Sequence, residues 1–216
     1  MLSVQEGEGF AGWFRLLGYH AFVLNYRLGS NGYRHPSMWN DATRALRILR
    51  SRRSEWGVRD FGVIGSSAGG HLAATPITQW DRGLPSSPNP VKKESSRPDY
   101  GILCYPVITT KKQTHSGSRA LLIGEDASPK LEDALSAEKR VTPETPPCFL
   151  WHTVDDDAVP VENSLSFAMA LREKGVSFEL HCYEHGLHGL GMKNGHPWTI
   201  PLLPWLRTQV AASITK

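Results

Sequence analysis

Cysteine is scarce in this 216-residue chain. Cys104, Cys148 and Cys182 are odd in number, so they cannot complete a disulfide framework. All three fall in strand-like runs, which predicts buried free thiols and a reducing, cytoplasmic compartment. The first twenty residues contain Glu6 and Glu8 and no long apolar stretch, so neither a signal peptide nor a membrane anchor is expected there. A strong charge of one sign is also lacking, since 24 Lys+Arg stand against 21 Asp+Glu for a formal net charge of +3. Arg44, Arg47, Arg50, Arg52 and Arg53 form the basic cluster, opposite Ala45, Leu46 and Leu49 on a predicted helix. They read as a solvated face, and no nucleic-acid partner is expected. Phosphate-loop and dinucleotide fingerprints are missing, and Gly29-Ser30-Asn31-Gly32 is a turn sequence. His181, His185 and His188 have no carboxylate or thiolate set to complete a tetrahedron, so neither a metal nor another cofactor is expected.

What the chain has is enough apolar content, 40%, for one sizeable core, and a single domain over 1–216 is expected. Apolar, β-branched runs alternate with longer helical patterns. The predicted order is helix 8–17, strand 20–26, helix 37–55, strand 60–65, helix 68–80, strand 99–105, a mixed insertion 106–140, strand 147–152, helix 161–174, strand 177–183 and helix 197–213. That alternation predicts an α/β fold with a doubly wound, mostly parallel sheet. The proline- and serine-rich segment 81–98 reads as a loop. It and the 106–140 insertion are expected to shape a site.

One such site is written in three places. Gly65-Ser66-Ser67-Ala68-Gly69 follows a strand-like run and opens a helix-like one. A serine on a sharp strand-to-helix turn needs small neighbours, and Ser67 is the candidate nucleophile of a G-x-S-x-G elbow. Asp155, Asp156 and Asp157 follow the strand at 147–152, where the acid of a triad belongs. His188 lies in a glycine-flanked segment after the strand at 177–183, where the base belongs. The order Ser, Asp, His, each just past a strand, fits acyl transfer at the C-terminal edge of a parallel sheet. Chemistry alone leaves the choice among the three aspartates open.

Longer stretches carry a family resemblance. Glu8-Gly9-Phe10-Ala11, Val23-Leu24-Asn25-Tyr26-Arg27-Leu28, His35-Pro36 with Asp41, Gly65 through Ala73, Thr145-Pro146-Pro147, His152 through Ser164, and His188-Gly189 together resemble the acetyl-xylan esterase-like branch of bacterial α/β-hydrolases. The resemblance implies that the acid stands three residues before Val159-Pro160, which selects Asp156 with Asp155 as fallback, and that His188 is the base. It implies an oxyanion donor at the N–H of Ala68. Tyr26, Arg27 and Asp41 read as scaffold, and His71 as a hydrogen-bonded structural histidine.

One departure from the pattern matters. Members of that branch carry a further strand and a glycine-rich loop ahead of the segment that begins here at Glu6, and that loop supplies a second oxyanion N–H. Losing one such donor costs roughly 10²–10³ in turnover, about 2.7–4 kcal/mol. The strands at 20–26 and 60–65 are then expected to pair directly, to be re-spaced, or to accept a strand from another chain, with a homo-oligomer preferred. The expected function is a serine esterase acting on short acetyl esters, with acetylated xylan or sugars as the substrate class the resemblance implies. A peptidase or lactone hydrolase, and a silent hydrolase with an interaction role, are the alternatives.

Overall fold

A computed structural model describes residues 3–214. Four strands, β1 (Gly62–Ser66), β2 (Tyr100–Cys104), β3 (Cys148–Thr153) and β4 (Phe178–Tyr183), form one all-parallel sheet in the order β1-β2-β3-β4. Ser66 lies opposite Cys104, Cys104 opposite Trp151 and Thr153 opposite Tyr183, so β3 and β4 run two residues past the ends of β1 and β2 at the C-terminal edge. Parallel neighbours require crossovers, and helices supply them. In chain order the helices are α1 (Val4–Leu16), α2 (Ser37–Ser51), α3 (Arg53–Trp56), α4 (Ser67–Thr78), α5 (Pro90–Lys93), α6 (Ser116–Ile123), α7 (Pro129–Leu135), α8 (Glu162–Glu173) and α9 (Thr199–Ile214); α4 and α5 join β1 to β2, α6 and α7 join β2 to β3, and α8 joins β3 to β4. No helix among the described residues is long and apolar enough to cross a membrane.

Successive strand residues point to opposite faces, and both faces are covered. Ile102, Cys104, Phe149 and Trp151 point to one side, against Phe10 and Phe14 of α1 and Trp198, Leu202 and Trp205 from the C-terminal region. Leu103, Cys148 and Leu150 point to the other, against Ala74 and Ile77 of α4 and Phe167 and Leu171 of α8. Phe149 and Trp151 are fully buried, so truncating either to alanine would cost about 3–5 kcal/mol. The N-terminus of α1 is capped by Ser3, whose Oγ accepts the Glu6 N–H at 3.3 Å.

The expected strand at 20–26 is not one. The segment carries no regular secondary structure and has no ladder partner among the described residues, and Phe22, Val23 and Leu24 are exposed. It is tethered instead by Arg27, whose backbone N–H and guanidinium both bond the carboxylate of Asp41 on α2 at 2.7–3.1 Å. Between this segment and the free edge of β1 runs a groove of about 900 Å³, floored by residues of α1, α2 and β1. Direct pairing of the two segments is therefore not what occurs.

Three smaller expectations also need correction. Segment 81–98 contains α5, begun by Asn89, whose side chain accepts the Val91 N–H. The arginine cluster is only partly a solvated face, because Arg47 pairs with Asp81, and Arg50 bonds the Arg97 carbonyl at 2.6 Å and Asp99 at 3.3 Å. Cys104 and Cys148 are buried, whereas Cys182 is exposed because β4 is the sheet edge.

Candidate active site

The site is assembled where β1, β3 and β4 end. Ser67 leaves β1 with φ +52, in the left-handed region, and starts α4. For a side-chain-bearing residue that conformation costs about 1–2 kcal/mol, and it lifts Oγ clear of the sheet. Gly65 makes the turn possible. A Cβ there would stand 2.2 Å from the Gly69 carbonyl oxygen and 2.9 Å from Ala73 Cβ. At Gly70 a Cβ would meet Pro106 at 2.6 Å, whereas Gly69 itself has open space around its Cβ position. The close approach of backbone to backbone therefore explains Gly65 and Gly70 and leaves Gly69 unexplained.

The structure brings Ser67, His188 and Asp156 together. His188 Nε2 is 2.8 Å from Ser67 Oγ, and His188 Nδ1 is 2.7 Å from Asp156 Oδ2. A carboxylate only accepts, so Nδ1 carries the proton and Nε2 presents a lone pair to the serine hydroxyl. The other carboxylate oxygen of Asp156 accepts the N–H groups of Ala158 at 3.0 Å and Val159 at 2.8 Å. Burial acts to raise the Asp156 carboxyl. Contacts from His152, His188 and those two backbone N–H groups outweigh it and hold the group well below the usual carboxylate range.

The neighbouring aspartates do other things. Asp155 accepts the Gly186 N–H at 2.7 Å and lies 3.2 Å from His185 Nδ1, while Thr153 Oγ1 donates to the Gly186 carbonyl at 2.6 Å. One stem of the histidine loop is thereby pinned. Asp157 is exposed. His71 is buried and bonds the Leu135 carbonyl at 2.8 Å, and burial pushes its imidazole below the ordinary value. His181 sits 2.7 Å from Glu179, apart from His188.

Sequence reading passed over two supporting residues. His152, fully buried, bonds Ser164 Oγ at 2.8 Å and the Val159 carbonyl at 2.9 Å, which fixes the turn that carries Asp156. Asn163 accepts the N–H groups of Ile108 and Thr109 and donates to the Gln113 and Pro160 carbonyls, tying the 106–140 insertion to the same turn. A polar residue at a strand end or helix start beside a candidate site was the available signal for both.

Ala68 follows Ser67 in the first turn of α4, so its N–H has no intrahelical partner. Beside it opens a cavity of about 120 Å³, lined among others by Met38, Trp39, Leu72, Val107 and Leu121. No set of three or more candidate metal ligands occurs among the described residues.

An all-parallel helix-flanked sheet with a serine elbow at a strand end is the architecture of the α/β-hydrolases. Comparison with known proteins narrows this. The sequence model of the BD-FAE family matches residues 10–171, and the chain belongs to that family. It is 37% identical to endo-1,4-beta-xylanase B of Butyrivibrio fibrisolvens over 90% of this chain, and 33% identical to an acetylxylan esterase of Xylanibacter ruminicola over 88%. It spans only 31% and 38% of the lengths of those relatives. Among solved structures, an acetyl ester-xyloside bifunctional hydrolase from Caldicellulosiruptor lactoaceticus superimposes with TM-score 0.92 at 44% identity, covering 95% of this chain and 77% of that one. A carboxylesterase from Lactobacillus plantarum follows at TM-score 0.78 and 27% identity, covering 96% and 80%.

Proposed function

We propose that this chain is a serine carboxylesterase that removes short acyl groups, acetyl first among them, from hydroxylated substrates of the xylan or sugar type. The observation that carries the reading is the continuous chain of contacts from Ser67 Oγ through His188 to Asp156, at 2.8 and 2.7 Å. Names of relatives support the substrate class, since one is an acetylxylan esterase and another an acetyl ester-xyloside bifunctional hydrolase.

The chemistry follows from protonation. His188 Nε2 takes the Ser67 proton as Oγ bonds to the ester carbonyl carbon, and Asp156 stabilises the imidazolium without accepting its proton. The developing oxyanion is met by the N–H of Ala68. As the tetrahedral intermediate collapses, His188 returns the proton to the departing alkoxide, leaving acyl-Ser67. Water repeats the sequence, and the carboxylic acid and free serine result. The cavity beside Ala68, at about 120 Å³, is smaller than the roughly 150 Å³ that holds a benzene ring and would take a few acyl carbons.

Initial rates on p-nitrophenyl acetate against the octanoate ester, and acetate release from acetylated xylo-oligosaccharides, test this. Higher kcat/KM on the octanoate, or undiminished turnover after Ser67→Ala, would overturn it. A second reading, a weak or silent hydrolase that associates with copies of itself, is favoured by the unpaired edge of β1 and the exposed Phe22 and Val23. Sedimentation velocity distinguishes them, because that reading requires a dimer or larger and little turnover.

A further inference from the structure

The second stem of the histidine loop ends at Gly191, and its N–H donates to the hydroxyl of Tyr105 at 2.9 Å. Tyr105 directly follows β2, is 1% exposed and holds φ +36, a left-handed conformation that a tyrosine rarely adopts. Its own N–H donates to the Trp151 carbonyl at 2.7 Å. The ring stands edge-on to Trp151 at 4.8 Å and to the imidazole of His188 at 5.1 Å. Its hydroxyl has one proton and two partners. Gly191 N–H can only donate, so the proton goes to Glu6 Oε1 on α1, at 2.6 Å. Burial pushes the phenol far above its ordinary value, which keeps that proton in place. Gly191 is further held by Trp198 Nε1, which donates to its carbonyl at 2.8 Å.

We propose that Tyr105 is a positioning residue for the His188 base, with Glu6 as its anchor. The hydroxyl fixes Gly191, three residues past the histidine, while the ring packs against the imidazole in a T-shaped contact. With Gly186 held by Asp155 and Thr153, both stems of the loop are tied. The imidazole is left with the orientation in which Nδ1 faces Asp156 and Nε2 faces Ser67. Helix α1, 99 residues from Tyr105 at its contact, thereby supports the catalytic base. This rests on the role assigned to His188 under the proposed function.

Tyr105→Phe keeps the ring and deletes only the hydroxyl, leaving the Gly191 N–H and the Glu6 carboxylate without their partner. The expected result is a kcat lower by about tenfold with KM within about twofold, the loss of a buried hydrogen-bond pair being of that order. Glu6→Ala should match it, Glu6→Gln, which retains an acceptor oxygen, should restore most of the rate, and the Tyr105→Phe/Glu6→Ala pair should be no slower than either single change. The proton on His188 Nδ1, observed by NMR, should exchange with water faster in Tyr105→Phe than in the parent chain. Unchanged kcat and unchanged exchange in Tyr105→Phe would overturn the proposal. So would additive losses in the double variant. The exchange measurement needs no turnover, so a parent chain inactive on every ester would refute the esterase reading and still leave this positioning role decided by the NMR result.

Discussion

His152 Nε2 lies 3.5 Å from Asp156 Oδ2, and both side chains are shut away from solvent. Asp156 is therefore a carboxylate held ionised by several donors in a place that would otherwise favour its neutral form. Its folded value is depressed, so it contributes stability that is fully present above the unfolded value of about 3.9 and is lost as pH falls toward the folded one. Asp156→Asn removes that titration. Urea unfolding should show the parent chain more stable than Asp156→Asn at pH 6, with the gap shrinking as the pH is lowered below about 4. A gap that stays constant down to about pH 2.5 would contradict the depressed carboxyl.

Asp155→Asn and Asp156→Asn should separate by rate as well. Asparagine at 155 keeps an oxygen to accept the Gly186 N–H, and so a loss below about tenfold is expected, of the size of one weakened hydrogen bond. Asparagine at 156 can donate to His188 Nδ1 and favour the wrong tautomer, for which roughly 10⁴-fold in kcat is the precedent in serine triads. Equal losses would mean that the acid has been misassigned.

The strained elbow gives a stability prediction that is independent of turnover. Ser67→Ala and Ser67→Gly both remove the nucleophile, yet only glycine relieves the left-handed backbone at φ +52. Ser67→Gly should be the more stable of the two by about 1 kcal/mol in chemical denaturation. Gly65→Ala should act in the opposite sense. Its Cβ would meet the Gly69 backbone at 2.2 Å, so the elbow has to shift, and a displacement near an ångström costs about 10²-fold in rate.

How much of this was legible depends on how local each signal is. Ser67 could be read because its turn demands small residues within five positions, and the strand positions β1 to β4 because apolar runs were bounded by turns. Choosing Asp156 over Asp155 took the family pattern, since all three aspartates satisfy the same local chemistry. Segment 20–26 shows the limit. Ala21-Phe22-Val23-Leu24 specifies an extended backbone but says nothing of a partner, and pairing is set by residues distant in sequence. The same holds for Arg47 and Arg50, whose helical spacing is visible but whose partners Asp81 and Asp99 come from another loop. Tyr105 was hidden because neither its contact to Glu6 nor that to Gly191 leaves a spacing signature.

The groove beside β1 makes the last prediction. The N–H and C=O groups on the outer edge of β1 have no ladder partner among the described residues, and the facing segment 20–26 is equally unpaired. About 900 Å³ separates them, and the groove reaches Ser67 and Ala68. A parallel strand laid in that groove would pair both edges. Fused to the chain and designed to lie in the groove, a strand ending in a glycine-rich loop should present a further N–H to the oxyanion beside that of Ala68 and raise kcat by roughly 10²-fold. A strand without the glycine-rich loop should raise Tm by satisfying the edge, and leave kcat within a few-fold. Should both fusions raise kcat equally, order in the sheet would be what limits turnover, and the idea that a further oxyanion donor raises it would fail.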